Sequence, residues 1–549
     1  MSRPWDAVVV GSGPNGLVAA NRLADEGWSV VVLEAQPTYG GAVRSDTEVY
    51  DGFVHDTFSA FYPLGVASPA LASLDLEQHG LVWEHAPAVL GHVFGDGEWA
   101  LMHRDRTVTA GLLGDPRDEE AWLALCAVWD RIGDDLIGSL LTPFPPVRHG
   151  LRLGARLARA GGLGTVRDLL TPAYDLAQSR FAGRAARALL AGNAGHSDIP
   201  LQAPGSGAIA LLMSMLGQTV GFPAPRGGAG SLSEALVRRL RTRGGEVRCD
   251  SEVSRIVVEG GRAVAVRVGD DELRVGRAVL ADVTAPLLYG GLVAADDLPA
   301  RVRRGMRGFQ LDPATVKVDW AVDGPVPWAV APAYAPGTVH VATSFEAIGE
   351  ALGQVATGIV PRDPFLLAGQ MTTTDPSRSP AGTESLWAYT HVPHHVLGDA
   401  GTARDGGIRD GGIRGVWDHD DCERFADRVQ AQVERVAPGF GSRVLARRVL
   451  GPRELEARNA NLIGGSIGGG SSQLPQQLVF RPVPGSGRAE TGIGGLYLAS
   501  SSAHPGGGVH GAAGMNAARA ALAHARADVV RRPVSALAGQ VRSRTRSSR

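Results

Sequence analysis

The period of apolar and polar positions changes several times along the chain. Asp6 to Val10 is an unbroken apolar run rich in valine, the pattern of a parallel strand buried on both faces. Leu17, Ala20 and Leu23 then recur at helical spacing, Gly27 stops that helix, and Ser29 to Leu33 predicts a second strand closed by Glu34. From Glu119 to Leu190 the Leu/Ala/Arg pattern predicts a largely helical stretch. A helix carrying Leu232, Leu236 and Leu240 is predicted after Gly227, Gly228 and Gly230, with Ser231 or Ser233 as N-cap and Gly244-Gly245 as its stop. Short alternating strands follow at Glu246–Arg248, Val253–Glu259, Ala263–Val268 and Glu272–Val275, after which "RAVLAD" returns to the core sheet. Val316–Val322 and Leu386–Val392 predict further strands. The closing stretch "GLYLASSSAHPGGGVHGAAGMNAARAAL" predicts a strand, a glycine loop and a helix beginning near Val509.

The first strand–loop–helix–strand unit carries the sharpest chemical signal. Gly11, Gly13 and Gly16 spell G-x-G-x-x-G at the junction of strand and helix. Gly11 permits the tight turn, Gly13 lets backbone approach a pyrophosphate, and Gly16 allows close helix–strand packing. Unpaired N–H groups and the positive dipole end of the helix favour phosphate there. Glu34 can accept hydrogen bonds from a ribose 2′-hydroxyl and would repel a 2′-phosphate. The motif fits NAD or FAD, and its residues alone do not separate the two.

"QPTYGGAVRS" adds Gly40, Gly41 and Arg44 soon after the ribose acid. With this extension the chain resembles the phytoene desaturase and amine oxidase superfamily, in which the paired glycines and the Arg wrap back onto the pyrophosphate. The resemblance implies bound FAD held by Gly11, Gly13, Pro14, Asn15, Gly16, Glu34, Ala35, Gly40, Gly41 and Arg44. It adds Val253, as the backbone contact to adenine, and Gly507, Gly508 and Val509 in the last glycine loop. "GHSDIPLQAPGSG" and "GMNAARAAL" resemble the branch of pyridine nucleotide-disulfide oxidoreductase domain-containing protein 2, akin to bacterial-type phytoene desaturases. The expected fold class is α/β: a discontinuous Rossmann-like FAD-binding domain with an interposed α+β substrate domain and a helical lid. The FAD domain is expected at 1–75, 220–285 and 485–528, and the substrate domain at 76–219 and 286–484. The basic, Ser-rich segment 529–549 is expected to be disordered. "RDGGIRDGGIR", Arg404 to Arg414, reads as an exposed loop insertion. Within the family pattern, the helix near Val509 would point its positive end at flavin N1 and O2, where reduction places negative charge.

Length and charge narrow the class further. The chain has 549 residues, 44% of them hydrophobic, and a formal net charge of −2. Several domains are expected, and nucleic acid is not an expected partner. Cys126, Cys249 and Cys422 are far apart in sequence and form no CxxC or metal-ligand spacing, so no metal is expected and a reduced, cytoplasmic-type compartment fits. The best apolar window, Ala208 to Val220, is interrupted by Ser214, Gly217 and Gln218 and is too short to span a bilayer. Arg148 to Gly164 places Arg152, Arg156 and Arg159 along one helical face. This is either a surface for peripheral membrane contact or an ordinary lid helix with a solvated face.

Candidates for catalysis are few. His504, before Pro505, would lie near the isoalloxazine in the family pattern, as a proton-relaying group or as a residue that only shapes the loop. His510 is a weaker candidate. Ser500, Ser501 and Ser502 stand where family members often carry glycine. Lys317, the only lysine of the chain, is weighed against the lysine that holds a water at flavin N5 in amine oxidases, and against a surface or structural role. Asp56, Phe53, Phe58, Phe61 and Tyr62 either line the approach to the ring or form core. The leading expectation is an FAD-dependent oxidoreductase of dehydrogenase or desaturase type, transferring hydride from a hydrophobic substrate to flavin N5. A flavin-dependent amine oxidase and a flavin-bound regulatory protein with little turnover are the alternatives.

Overall fold

The computed structural model describes residues 4–402 and 412–528. Two seven-stranded sheets organise them. In the first sheet the spatial order is Val253–Glu259, Arg262–Val268, Asp271–Ala281, Trp5–Val10, Val30–Leu33 and Glu246–Arg248, with Leu496–Leu498 beside the end of Asp271–Ala281. Its centre is parallel: Val10 pairs with Leu33 on one side and Ala281 on the other, and Ala281 with Leu498. Valines of these strands are fully buried between apolar layers on both faces, which explains the unbroken apolar runs. Glu272–Val275 and "RAVLAD" form one eleven-residue strand rather than two. Its first half pairs antiparallel with Arg262–Val268 and its second half enters the parallel core.

The second sheet runs Val444–Leu450, Ala314–Val322, Glu384–Val392, Leu366–Gln370, Pro336–Val341, Ala88–Val93 and Trp99–Met102. Side chains alternate across it, and its two faces differ in chemistry. Val316, Val318, Trp320, Leu386 and Ala388 pack beneath the helix His419–Val436, against Phe425, Val429 and Val433. The opposite face carries Thr315, Lys317, Trp387, Tyr389 and His391, which line a large cavity. Helices Pro116–Leu141, Leu163–Leu170 and Ser206–Thr219 cover that cavity with Leu136, Leu140, Leu169, Ile209, Leu212 and Met213.

Several local expectations are corrected. Neither Ser231 nor Ser233 caps the helix Gly230–Thr242; their hydroxyls donate to the Arg226 and Val43 carbonyls. Its first N–H groups are met from a distant hairpin, Ala229 N donating to Asp56 Oδ1 at 2.7 Å and Gly230 N to Ser45 Oγ at 3.0 Å. The last helix occupies 512–528 and so begins at Ala512, because the glycine loop continues through Gly511, with φ +66°. The arginine-bearing helix ends at Leu157, leaving Arg159 beyond it, and Arg156 is tied to Asp135 at 3.1 Å. A continuous free cationic face does not form. Of the repeat at 404–414, residues up to 411 lie outside the described residues, but Ile413 is fully buried rather than exposed. The segment 529–549 also lies outside them. No helix of the described residues is long and apolar enough to cross a membrane.

Candidate active site

The carboxyl ends of the parallel strands open into one cavity of about 1010 Å³. One end is built from the first glycine loop. Gly11 sits at φ +92°, a conformation that favours glycine. Cβ atoms at Gly13 and Gly41 would come 2.6 Å from Asp282 Oδ2 and 2.8 Å from the Gly13 Cα, so the chain approaches itself as closely as it would approach a bound group. Glu34 Oε2 accepts from Ser12 N at 2.9 Å and Oε1 from Gln36 N at 2.9 Å. These bonds fix the carboxylate while leaving acceptor capacity for a ribose hydroxyl. Asn15 Oδ1 and Arg44 Nε are buried without hydrogen-bond partners. Orphaned polar atoms beside a glycine cradle and a held carboxylate fit a dinucleotide.

Of the residues expected to hold the cofactor, Gly11, Gly13, Pro14, Asn15, Glu34, Ala35, Gly41, Arg44, Val253, Gly507, Gly508 and Val509 line this cavity. Gly16 and Gly40 stand behind its wall. A Cβ at Gly16 would strike the Gly11 carbonyl, and Gly40 holds φ +114° where the second turn reverses. The Arg44 guanidinium donates to the Arg458 carbonyl at 2.9 Å and lies 5.3 Å from the Phe58 ring centroid. Ser500 and Ser501 also line the cavity, whereas the Ser502 hydroxyl is spent on the Gly469 carbonyl at 2.7 Å.

The catalytic candidates separate clearly. His504 does not line the cavity; its Nε2 pairs with the Thr142 carbonyl at 2.9 Å, while its neighbour Pro505 does line it. His510 Nδ1 accepts from Ala512 N at 3.0 Å at the start of the last helix, and burial pushes the imidazole down to about 4. Lys317 is no surface residue. It is 3% exposed and lines the cavity, its Nζ donating to the Asp56 carbonyl at 2.9 Å and pairing with Asp319. Arg448 holds the other oxygen of Asp319 at 2.7 Å, so the carboxylate lies between two cations. Asp56 pairs with the fully buried Arg378 at 2.6 Å and is structural. Phe58, Phe61 and Tyr62 line the cavity, while Phe53 is core, stacked beside His55.

Sequence reasoning missed four contributors. Asp282, at the carboxyl end of its strand, accepts from Gly16 N at 2.7 Å beneath the glycine loop. Burial, reinforced by the Glu34 charge, holds its carboxyl well above the usual range. Its position was a readable signal, because ligands of parallel α/β sheets bind outside strand carboxyl ends. Asp312 accepts from Ile467, Gly468 and Gly470 N–H groups at 2.6 to 3.0 Å. Asp198 accepts from Ser472 N at 3.0 Å, and buried Arg481 donates to the Ser471 and Ser501 carbonyls at 2.8 to 3.0 Å. Together these three hold the loop Ser466–Ser472 against the cavity, and nothing local in sequence announces that clamp.

The family description "NAD(P)-binding Rossmann-like domain" matches residues 9–74. Pyridine nucleotide-disulfide oxidoreductase domain-containing protein 2 of Mus musculus is 29% identical over 94% of this chain and 92% of its own length. A limonene dehydrogenase polypeptide of Castellaniella defragrans is 25% identical, covering 94% of each chain. Phytoene desaturase (lycopene-forming) of Pantoea ananas is 24% identical over 94% of this chain and 98% of its own. Among solved structures, an oxidoreductase of Methanosarcina mazei aligns with TM-score 0.60 at 15% identity, over 94% of this chain and 99% of that one. Cyclohexylamine oxidase of Brevibacterium oxydans aligns with TM-score 0.58 at 14% identity, over 95% and 100%. The structural likenesses concern the fold alone. Over most of its length the chain is a homologue of pyridine nucleotide-disulfide oxidoreductase domain-containing protein 2, and more distantly of limonene dehydrogenase and phytoene desaturase.

Proposed function

We propose that this protein is an FAD-dependent oxidoreductase that removes hydride from an apolar organic substrate. The observation that carries the reading is the continuity of one cavity from the dinucleotide loop to an apolar chamber. Glu34, Gly13 and Val253 stand at one end, and Leu140, Ile209 and Met213 at the other. A cofactor long enough to run from Glu34 past Gly41 and Arg44 to Gly507 would present its reactive ring to that chamber. FAD meets this requirement, and when bound it supplies the hydride acceptor. The residues then have separate tasks. Glu34 receives the ribose and Arg44 neutralises phosphate charge. Gly507 and Gly508 admit close backbone approach, and the helical wall excludes water from the substrate. Leu170, Leu474 and Leu478 line the cavity and are 43 to 60% exposed, giving an apolar rim through which such a substrate can pass.

One observation bears on the amine oxidase alternative. Trp387 and Tyr389 are stacked with centroids 6.0 Å apart, a face able to hold an amine. The Lys317 ammonium already stands 5.9 Å from the Trp387 centroid, so a cation of the chain itself occupies that ring face. This favours the dehydrogenase or desaturase reading.

The deciding experiment is anaerobic reduction of the purified flavoprotein by apolar alkenes, amines and reduced nicotinamides, followed at the flavin absorbance band. Rapid bleaching by an apolar compound is expected. Bleaching by amines alone would replace the reading with an amine oxidase, and stoichiometric flavin that no compound bleaches would favour a regulatory role. A protein that neither carries nor takes up flavin would overturn the reading altogether.

A further inference from the structure

The cavity is not uniformly apolar. Its helical wall presents Leu, Ile and Met, but its sheet wall presents, besides the paired Lys317, several hydrogen-bonding side chains with unused capacity. Thr315 and His391 face each other in register on adjacent strands, and Lys317 faces Tyr389 in the next row. The Thr315 hydroxyl is buried without a hydrogen-bond partner, and His391, whose ring meets the Ala314 backbone, keeps ring-nitrogen hydrogen-bonding capacity unused; the two residues are only 3% and 4% exposed. The Tyr389 hydroxyl makes no hydrogen bond among the described residues, and its ring lies 5.8 Å from His391, edge to face. Further along the same wall Trp387 Nε1 and the Thr338 hydroxyl are also unpaired. Gly369 separates these two in register, and its missing Cβ leaves room for the Trp387 indole to lie across the sheet. Thr315, Thr338, Trp387, Tyr389 and His391 all line the cavity.

Unmet buried donors and acceptors are costly, and native proteins keep few of them. A series along one cavity wall, opposite an apolar wall, is the complement of a ligand with one apolar side and one oxygen-bearing side. The charges nearby select against an ionic group. The Asp198 and Asp312 carboxylates bear on His391 and repel an anion, while Lys317 in the adjoining row already fills the Trp387 ring face that a cation would use. Burial holds the His391 imidazole below its ordinary value, so it meets a ligand as a neutral donor and acceptor.

We propose that Thr315 and His391, with the Tyr389 hydroxyl beside them, form a recognition site for a neutral hydroxyl or carbonyl group on an otherwise apolar substrate. The substrate class is thereby an oxygenated isoprenoid or lipid-like molecule rather than a bare hydrocarbon, an acid or an amine. This rests on the chamber being the substrate site, which flavin bleaching tests separately.

Binding measurements on the flavin-loaded protein decide the matter, using one ten-carbon isoprenoid body with five ends: geraniol, geranial, geranic acid, geranylamine and the parent diene. Equilibrium dialysis should show the alcohol and aldehyde binding about tenfold or more tighter than the other three, the factor expected when buried polar groups gain partners. In Thr315→Val/His391→Phe that preference should collapse while affinity for the diene is kept. A diene that binds native protein as tightly as the alcohol overturns the proposal, as does a preference that survives the double variant or the absence of binding by any probe. The native ranking needs no variant, so a misfolded variant leaves the test intact. Lack of bleaching by a probe that binds with the expected ranking would count against the redox reading alone.

Discussion

At the residue scale, Glu34 and Asp319 are the most consequential carboxylates, for different reasons. Glu34 is held by Ser12 and Gln36 N–H groups at the end of its strand, so Glu34→Gln preserves shape while removing charge and acceptor strength. Flavin affinity should fall about tenfold, the scale of one charge-assisted hydrogen bond. Equilibrium dialysis reads this, and an unchanged dissociation constant would remove Glu34 from the ribose site. Asp319 lies between Lys317 and Arg448, all three largely buried. Asp319→Asn leaves buried Lys317 without a carboxylate and Arg448 with only Asp46 and Glu48, and should cost about 3–5 kcal/mol in urea unfolding. Lys317→Met leaves Asp319 its pairing with Arg448 and should cost clearly less. The reverse order would show that Arg448 does not sustain Asp319.

At the element scale, the glycine loop is specified by what a Cβ would meet. Gly16→Ala would drive its methyl into the Gly11 carbonyl and against Asp282. It should destabilise by about 1–3 kcal/mol through overpacking, with loss of flavin. Gly353, inside the helix Phe345–Ala356, has open space where its Cβ would be, so Gly353→Ala should instead stabilise by about 0.5–1 kcal/mol. Paired thermal melts check both signs. The loop and its strands were legible in sequence because their residues act on near neighbours. The capping of Gly230–Thr242 by Ser45 and Asp56 was not, because those side chains arrive from well over a hundred residues away.

At the scale of the whole molecule, buried imidazoles set the response to acid. Burial pushes His92 and His510 down to about 4 and His196 to about 3, against an ordinary 6.5. Between those values the unfolded chain binds protons that the folded chain refuses, so stability falls as pH drops below about 6.5. Glu384 acts oppositely. Burial raises it to about 7, so its contribution is present in acid and lost as pH rises from 4.5 to about 7. Between pH 4.5 and 6.5 each group carries up to about 3 kcal/mol, and these imidazoles with His391 outweigh the two raised carboxyls, Glu384 and Asp282. The urea midpoint should therefore rise from pH 4.5 to 6.5, and Glu384→Gln should steepen that rise. A flat profile would mean that the imidazoles are protonated inside the folded protein.

The sequence by itself determined the dinucleotide unit, since Gly11, Gly13, Gly16 and Glu34 lie within one strand–helix–strand segment whose geometry is local. It also determined the strands Ala314–Val322 and Glu384–Val392 through their apolar runs, within a few residues. Only the tertiary structure decided which of their side chains meet. Alternation says that Thr315 and Lys317 share a face, but register between distant strands sets Thr315 opposite His391 and turns that face toward the cavity. The same holds for Lys317, whose burial depends on Asp319 and on the Asp56 carbonyl arriving from another part of the chain. Local sequence encodes backbone conformation, whereas a site assembled from several segments depends on long-range packing that no single segment contains.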